Sequence, residues 1–181
     1  DRKTLPALPD EQIRALHVER DGVLWVGTLK GGLAQLSADG EQVRAFASDP
    51  AVPSSLASSF VRAVLRDTEG RLWVGTASGL DLLQAEGTFQ HYVYRPEDPR
   101  GLQDSYIMSL YQDPSGLLWV GTRSGGVSRW NPRSWQMGHF RPALANGLPI
   151  AAFAEGRTAD ETLVGTLGGG LLAVDFSTGA E

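Results

Sequence analysis

An all-β chain of repeated four-stranded antiparallel sheets is what this sequence predicts, on three observations. The pentapeptide Leu-Trp-Val-Gly-Thr occurs at 24–28, 72–76 and 118–122, so that Trp25, Trp73 and Trp119 stand 48 and 46 residues apart. Another 44 residues on, Leu163 lies in a degenerate fourth copy that keeps Val164, Gly165 and Thr166. A period in the forties marks propellers and helical arrays. Within one period, apolar residues alternate on a two-residue beat between closely spaced turn signals, which selects strands over helices. The 22 glycines, spread along the chain, fit many tight turns.

The first repeat shows each element. Residues 13–19, Ile-Arg-Ala-Leu-His-Val-Glu, read as strand A, and Arg-Asp-Gly turns into strand B at 23–28. Leu-Lys-Gly-Gly (29–32) turns into Leu-Ala-Gln-Leu as strand C, and Gln-Val-Arg-Ala-Phe (42–46) closes the repeat as strand D. Four short antiparallel strands make one propeller blade. The blades fall at about 13–46, 60–93, 106–140 and 150–176, the last of them without its fourth strand.

Strand B is apolar on both faces, as a strand buried between neighbouring sheets should be. Trp25, Trp73 and Trp119 are expected to fill the gap between sheets, while Gly27, Gly75, Gly121 and Gly165 permit close backbone approach or a bulge. Thr28, Thr76, Thr122 and Thr166 complete the repeat signature. The A–B connections, Glu-Arg-Asp-Gly, Asp-Thr-Glu-Gly and Asp-Pro-Ser-Gly, place an acid where it bonds the backbone of the turn and glycine where φ is positive. Calcium at Asp67 and Glu69 is a weaker reading, because calcium takes about 6–8 oxygens.

Composition excludes several classes. With 21 acidic and 16 basic residues, net charge −5 and 41% hydrophobic residues, the chain has a globular profile. It has no Lys/Arg cluster for nucleic acid, no cysteine for disulfides or thiolate chemistry, and no apolar run of transmembrane length.

Residues 48–83 and 96–130 resemble the two-component regulator propeller repeat. The shared elements are the Asp-Pro linker, the leucine before strand A, the Asp-x-x-G turn, Leu-Trp-Val-Gly-Thr and the following glycines. The resemblance implies the extracytoplasmic sensor region of a hybrid histidine kinase or a membrane-bound diguanylate cyclase, and hence a periplasmic setting. It also implies a ligand or partner that is sensed, carbohydrate breakdown products being one known class.

The family's rings usually have more blades, so four repeats suggest a partial propeller, with a closed four-blade ring as the alternative. Residues 1–8, rich in proline, are a poor candidate for a closing strand. Open blade edges are expected to allow self-association.

Ligands of such folds use the face carrying the B–C and D–A loops, where the B–C loops are 29–32, 77–79, 123–126 and 167–170. The ligand-face candidates are Lys30, Arg95, Arg100, Tyr106 and Arg123, with Glu97, Asp98 and Asp104 on the same rim. Lys30, Arg123 and Tyr106 suit an anionic or sugar ligand, although ordinary solvated loop residues are the favoured explanation. No catalytic residue, cofactor or metal is assigned, since His91 and His139 fall on outer strands that diverge. Trp130 and Trp135 are extra to the repeat and read as outer-strand packing or as a stacking platform for sugar. The leading functional reading is a non-enzymatic sensory propeller. A protein-interaction scaffold is the alternative, and a propeller lyase or glycosidase ranks last, because the acids sit mostly in A–B and C–D turns.

Overall fold

A computed structural model of the chain describes residues 7–98, 100–131, 136–140 (backbone), 147–158 and 161–175. Several expectations lie outside the described residues: the closing-strand candidate at the N-terminus for the most part, the side chain of His139, the Trp135 platform, most of the last D–A loop, and whatever follows residue 175. Two compact units divide the chain, Asp1–His91 and Tyr92–Glu181.

Fifteen strands and no helix form among the described residues. Strands β1 (Ile13–Val18), β2 (Leu24–Thr28), β3 (Leu33–Leu36) and β4 (Val43–Phe46) make one sheet in chain order. Strands β5 (Val61–Arg66), β6 (Leu72–Thr76), β7 (Leu80–Leu83) and β8 (Phe89–Tyr92) make the second. The third holds β9 (Ile107–Gln112), β10 (Leu118–Thr122), β11 (Val127–Asn131) and β12 (Gln136–Phe140). The last holds β13 (Ile150–Glu155), β14 (Glu161–Thr166) and β15 (Gly170–Asp175). Every sheet is a meander of neighbouring strands, the arrangement of a propeller blade. Strand starts and ends agree with the sequence reading to within a residue or so, because turn chemistry fixes them locally. At Gly22, Gly70 and Gly116 the A–B turn takes the positive φ that the Asp-x-x-G pattern calls for.

One irregularity recurs in all four sheets. Ile13 pairs with Thr28 but Ala15 with Gly27, leaving Arg14 as an extra residue on strand A. The same slip occurs between Val61 and Ala63, between Ile107 and Ser109, and between Ile150 and Ala152. It is a bulge set against the Gly-Thr end of strand B, where it bends strand A.

In the first unit, Trp25 packs from β2 against Val61, Leu72 and Val74 of the next sheet, with Phe46, Leu56 and Phe89 around it. In the second unit, Trp119 packs in the same way against Ile150, Val164 and Val174. Both indoles therefore fill the gap between consecutive sheets, as the alternation required. Trp73 is fully buried as well.

Gly27 and Gly121, two residues after Trp25 and Trp119, set how close those sheets come. A Cβ on Gly27 would lie 2.6 Å from Val61 Cγ1, and one on Gly121 would lie 2.7 Å from Ile150 Cγ2. On Gly165, by contrast, a Cβ meets only Ala152, at ordinary contact distance. Gly27→Ala and Gly121→Ala should each cost about 1–3 kcal/mol by overpacking, whereas Gly165→Ala should stay within about 0.5 kcal/mol. Urea titrations of the three variants check this, and equal losses at all three would mean that these glycines do not set sheet spacing.

Candidate functional site

Strand B ends in a threonine whose hydroxyl reaches across the turn that follows. Oγ1 of Thr28, Thr76, Thr122 and Thr166 donates to the carbonyls of Gly32, Gly79, Gly126 and Gly170 at 2.9–3.0 Å. The same oxygens accept from the N–H groups of Gly31, Ser78, Gly125 and Gly169 at 3.0–3.2 Å. The B–C turn is thus closed by a side chain in every blade, a role for this threonine that sequence reasoning did not assign.

The D–A loop is then fastened to that turn. Asp10 accepts from Gln12 N at 3.1 Å and, through its other oxygen, from Lys30 N at 2.7 Å. Asp104 repeats the arrangement, accepting from Tyr106 N at 2.9 Å and from Ser124 N and Oγ at 2.8 Å. In the second repeat Ser58 stands at this position and keeps only the local bond, from Phe60 N at 3.1 Å. The N–H of Gln12 foremost, helped by that of Lys30, holds the Asp10 carboxyl below its ordinary value against slight desolvation. Gly31 and Gly125 make the approach possible, since a Cβ there would come within 2.7 Å of the Pro9 backbone and 2.8 Å of the Gln103 backbone. In the first and third blades, the B–C turn and the D–A loop before strand A form one stiffened edge.

On these edges Lys30 is exposed in the first unit, and Arg123 is exposed in the second. The Arg123 guanidinium lies over the half-buried Tyr106 ring, 5.3 Å from its centroid. Arg95, Arg100 and Glu97 are exposed on the D–A loop of the same unit. Asp98 is committed to that loop's turn, accepting from Arg100 N at 3.0 Å, as Asp49 accepts from Ala51 N at 2.9 Å in the preceding repeat. The structure therefore brings Arg123 and Tyr106 together and uses Asp98 and Asp104 as loop acceptors. Trp130 is 2% exposed, which leaves it no open face as a stacking platform.

The second blade carries a buried polar constellation. Asp81 on β7 is fully buried where β3 and β11 carry Ala34 and Ser128. It accepts from Ala57 N at 2.8 Å and from His91 Nδ1 at 2.7 Å, while His91 Nε2 donates to the Pro53 carbonyl at 2.8 Å. With Asp81 ionised, both ring nitrogens face acceptors, and a protonated His91 straps the 47–59 loop to β7 and β8. Burial pushes the Asp81 carboxyl up against the lowering effect of the His91 and Ala57 bonds. Partial burial pulls His91 down, but its bonds to Asp81 and Pro53 and the attraction of the carboxylate outweigh this and hold it above its ordinary value of 6.5.

A raised histidine stabilises fully below its unfolded-state value, and that stability is lost as pH climbs through the folded-state value. The unfolding free energy from urea titrations should therefore fall as pH rises above about 6.5, by at most the roughly 1.5–3 kcal/mol of a charge-assisted hydrogen bond. His91→Gln should flatten that slope. An unchanged slope in the variant would place its origin elsewhere.

The sequence reading assigned the A–B acids to turns, and the structure adds a second task. Indole Nε1 donates to the acid six residues upstream in three blades: Trp25 to Glu19 at 2.9 Å, Trp73 to Asp67 at 2.9 Å and Trp119 to Asp113 at 2.7 Å. In the fourth repeat the tryptophan is Leu163 and the residue six before it is Arg157, so the two partners are missing together. That paired loss was a signal available in the sequence. Turn and indole bonds together occupy Asp67, which also takes Glu69 N and Arg71 N at 3.0 and 2.9 Å. No group of three or more His, Asp or Glu side chains able to hold a metal occurs among the described residues.

The two component regulator propeller family model matches residues 7–30, 55–78 and 101–124. Each match runs from the D–A loop through strands A and B into the B–C turn, the span over which the threonine and glycine geometry repeats. No curated protein matches the chain. Among solved structures, the extracellular domain of the hybrid two component system BT3049 from B. thetaiotaomicron is similar at 21% identity and TM-score 0.82. That match covers 94% of this chain and 24% of that one, so the chain spans only a minor part of the relative's length.

An auxiliary nutrient binding protein from Bacteroides thetaiotaomicron is similar at 11% identity and TM-score 0.67, over 92% of this chain and 39% of that one. A catalytically inactive virginiamycin B lyase from Staphylococcus aureus with quinupristin is similar at 16% identity and TM-score 0.66, over 98% and 60% of the two chains. At these identities the likeness establishes the β-propeller fold. With three matches, each on the same strand-and-turn unit, the chain carries three copies of the two component regulator propeller repeat.

Proposed function

We propose that this chain is the ligand-recognition region of a bacterial signal-transduction receptor, displayed outside the cytoplasmic membrane, and that it binds without catalysing. The observation that carries this reading is the stiffened loop edge. Carboxylates of Asp10 and Asp104 each lock a D–A loop to a B–C turn; Lys30 stands on that edge in the first unit, and the Arg123–Tyr106 pair, which suits an anionic or sugar ligand, stands on that edge in the second. A site whose backbone is already ordered loses less entropy on binding. The matched repeats and the extracellular domain of the similar hybrid two component system support the receptor setting.

The non-catalytic part rests on the carboxylates. Glu19, Asp67 and Asp113 are engaged by indoles, and Asp10, Asp98 and Asp104 by backbone N–H groups, so they form no convergent acid–base pair. The lyase at 16% identity shares the fold and carries no argument for lyase chemistry here.

A thermal-shift screen with oligosaccharides, sugar acids, amino acids and nucleotides tests the reading. One class should raise Tm, by an amount equivalent to about 2.7 kcal/mol at a hundredfold excess over Kd. Arg123→Ala or Lys30→Ala should reduce that shift. A flat screen would favour the scaffold reading, in which the same edge meets a protein.

A further inference from the structure

Each unit contains the same sheet-on-sheet contact, and each leaves one half of such a contact uncovered. Between β1–β4 and β5–β8, Gly27 of strand B lies against Val61 of the next strand A, and Val64 packs into the cluster around Trp25. Between β9–β12 and β13–β15, Gly121 lies against Ile150 in the same way, and Phe153 stacks on Tyr111 with ring centroids 6.1 Å apart. Val61 and Ile150 are fully buried as a result. In the first sheet Ile13 and Leu16 hold the places of Val61 and Val64, since each pairs with the matching residue of strand B. Yet Leu16 is 63% exposed, with Ile13 and Val18 exposed on either side of it.

The last sheet presents the other half. Leu171 pairs with Gly165 as Leu33 pairs with Gly27 and Val127 with Gly121. Leu33 and Val127 are fully buried, whereas Leu171 is 68% exposed. A Cβ on Gly165 meets only Ala152 of its own sheet, so the glycine lacks the branched side chain that Gly27 and Gly121 each meet.

We propose that these two open faces fit each other between copies of the chain: the last sheet of one copy docks on the first sheet of another, with Gly165 against Ile13 and Leu171 beside Leu16. A second copy is the occupant because the chain itself carries both halves, and because its two internal contacts each seat a strand-B glycine on the branched residue that opens the next strand A. Exposed apolar patches of this kind mark interaction surfaces. The contact is heterologous, so a docked copy keeps one face free. Leu163 stands where the other sheets carry tryptophan, so less apolar surface is covered than within the chain and the association is reversible. Neither Lys30 nor the Arg123–Tyr106 pair takes part, so this contact and the ligand reading stand or fall separately.

Sedimentation velocity on the full chain, over a micromolar-to-millimolar concentration series, should show mass rising above that of the monomer. Leu16→Glu and Leu171→Glu, both at exposed sites, should keep the native far-UV circular dichroism. Each should weaken association at least about tenfold, because docking would then bury a lone carboxylate. Mixed in equal amounts, at a concentration where each alone is monomeric, the two variants should form a dimer and nothing larger, since each retains the face that the other has lost. Gly165→Ala should also weaken association, while the urea midpoint of the monomer stays unchanged, because the added Cβ has room in its own sheet but would collide with Ile13 of the next copy. A monomer throughout the series would overturn the proposal. So would association that survives both glutamates, a mixture of the two variants that stays monomeric, or unaltered association in Gly165→Ala.

Discussion

Replacing Trp119 with alanine is expected to lower the unfolding free energy by about 3–5 kcal/mol, the range for removing a buried aromatic side chain. The indole is 2% exposed and fills the space against Ile150, Val164 and Val174 of the next sheet, so its loss leaves a cavity that two stiff sheets cannot close. It also leaves Asp113 without the 2.7 Å bond from Nε1. Leu163→Ala, at the matching place in the last sheet where the side chain is only half-buried, should cost about 1 kcal/mol. Chemical denaturation followed by circular dichroism gives both numbers. A loss below about 1 kcal/mol for Trp119→Ala would mean that the indole does not fill the space between these sheets.

Asp67→Ala should be nearly as damaging, at about 3–5 kcal/mol, because it strands several donors at once. Its side chain is fully buried in contact with the Arg71 guanidinium, and it also holds the Trp73 indole and two turn N–H groups. Desolvation alone would raise this carboxyl, but the bonds from Trp73 and Arg71 outweigh it and hold the folded-state value below 3.8. A lowered carboxylate stabilises above its unfolded-state value, and that stability is lost as pH falls through the folded-state value. Stability should therefore drop below about pH 4 in the native chain and less steeply in Asp67→Asn. If Asp67→Ala costs no more than an exposed turn substitution, within about 0.5 kcal/mol, the acid belongs to the turn and not to the interior.

The paired substitution can be taken further. A double-mutant cycle over Asp113 and Trp119 should give a coupling of about 0.5–3 kcal/mol, as for residues in direct contact. Additive losses would show the indole bond to be incidental to packing.

Strand positions, turn positions and the inward side of each strand B could be read from the sequence, because all three depend on neighbours a few residues away. Alternation puts Trp25 and Trp119 on the side facing the next sheet, and glycine at positive φ closes the A–B turns at Gly22, Gly70 and Gly116. The repeat itself was legible as a spacing, and with it the blade.

Contacts that cross between elements were decided by the tertiary structure. Only the register of β6 against β5 and the curl of the turn carry Asp67 to Trp73 Nε1. Only the packing of consecutive sheets shows that Gly27 and Gly121 lie against side chains of the next sheet while Gly165 has room. The Asp81–His91–Pro53 strap joins residues that no local pattern links, and the Trp25–Glu19–Arg66 link needs two sheets at once. Backbone periodicity is a property of adjacent residues, whereas a hydrogen bond between distant side chains exists only after twist, bulge and sheet spacing have set where each one points.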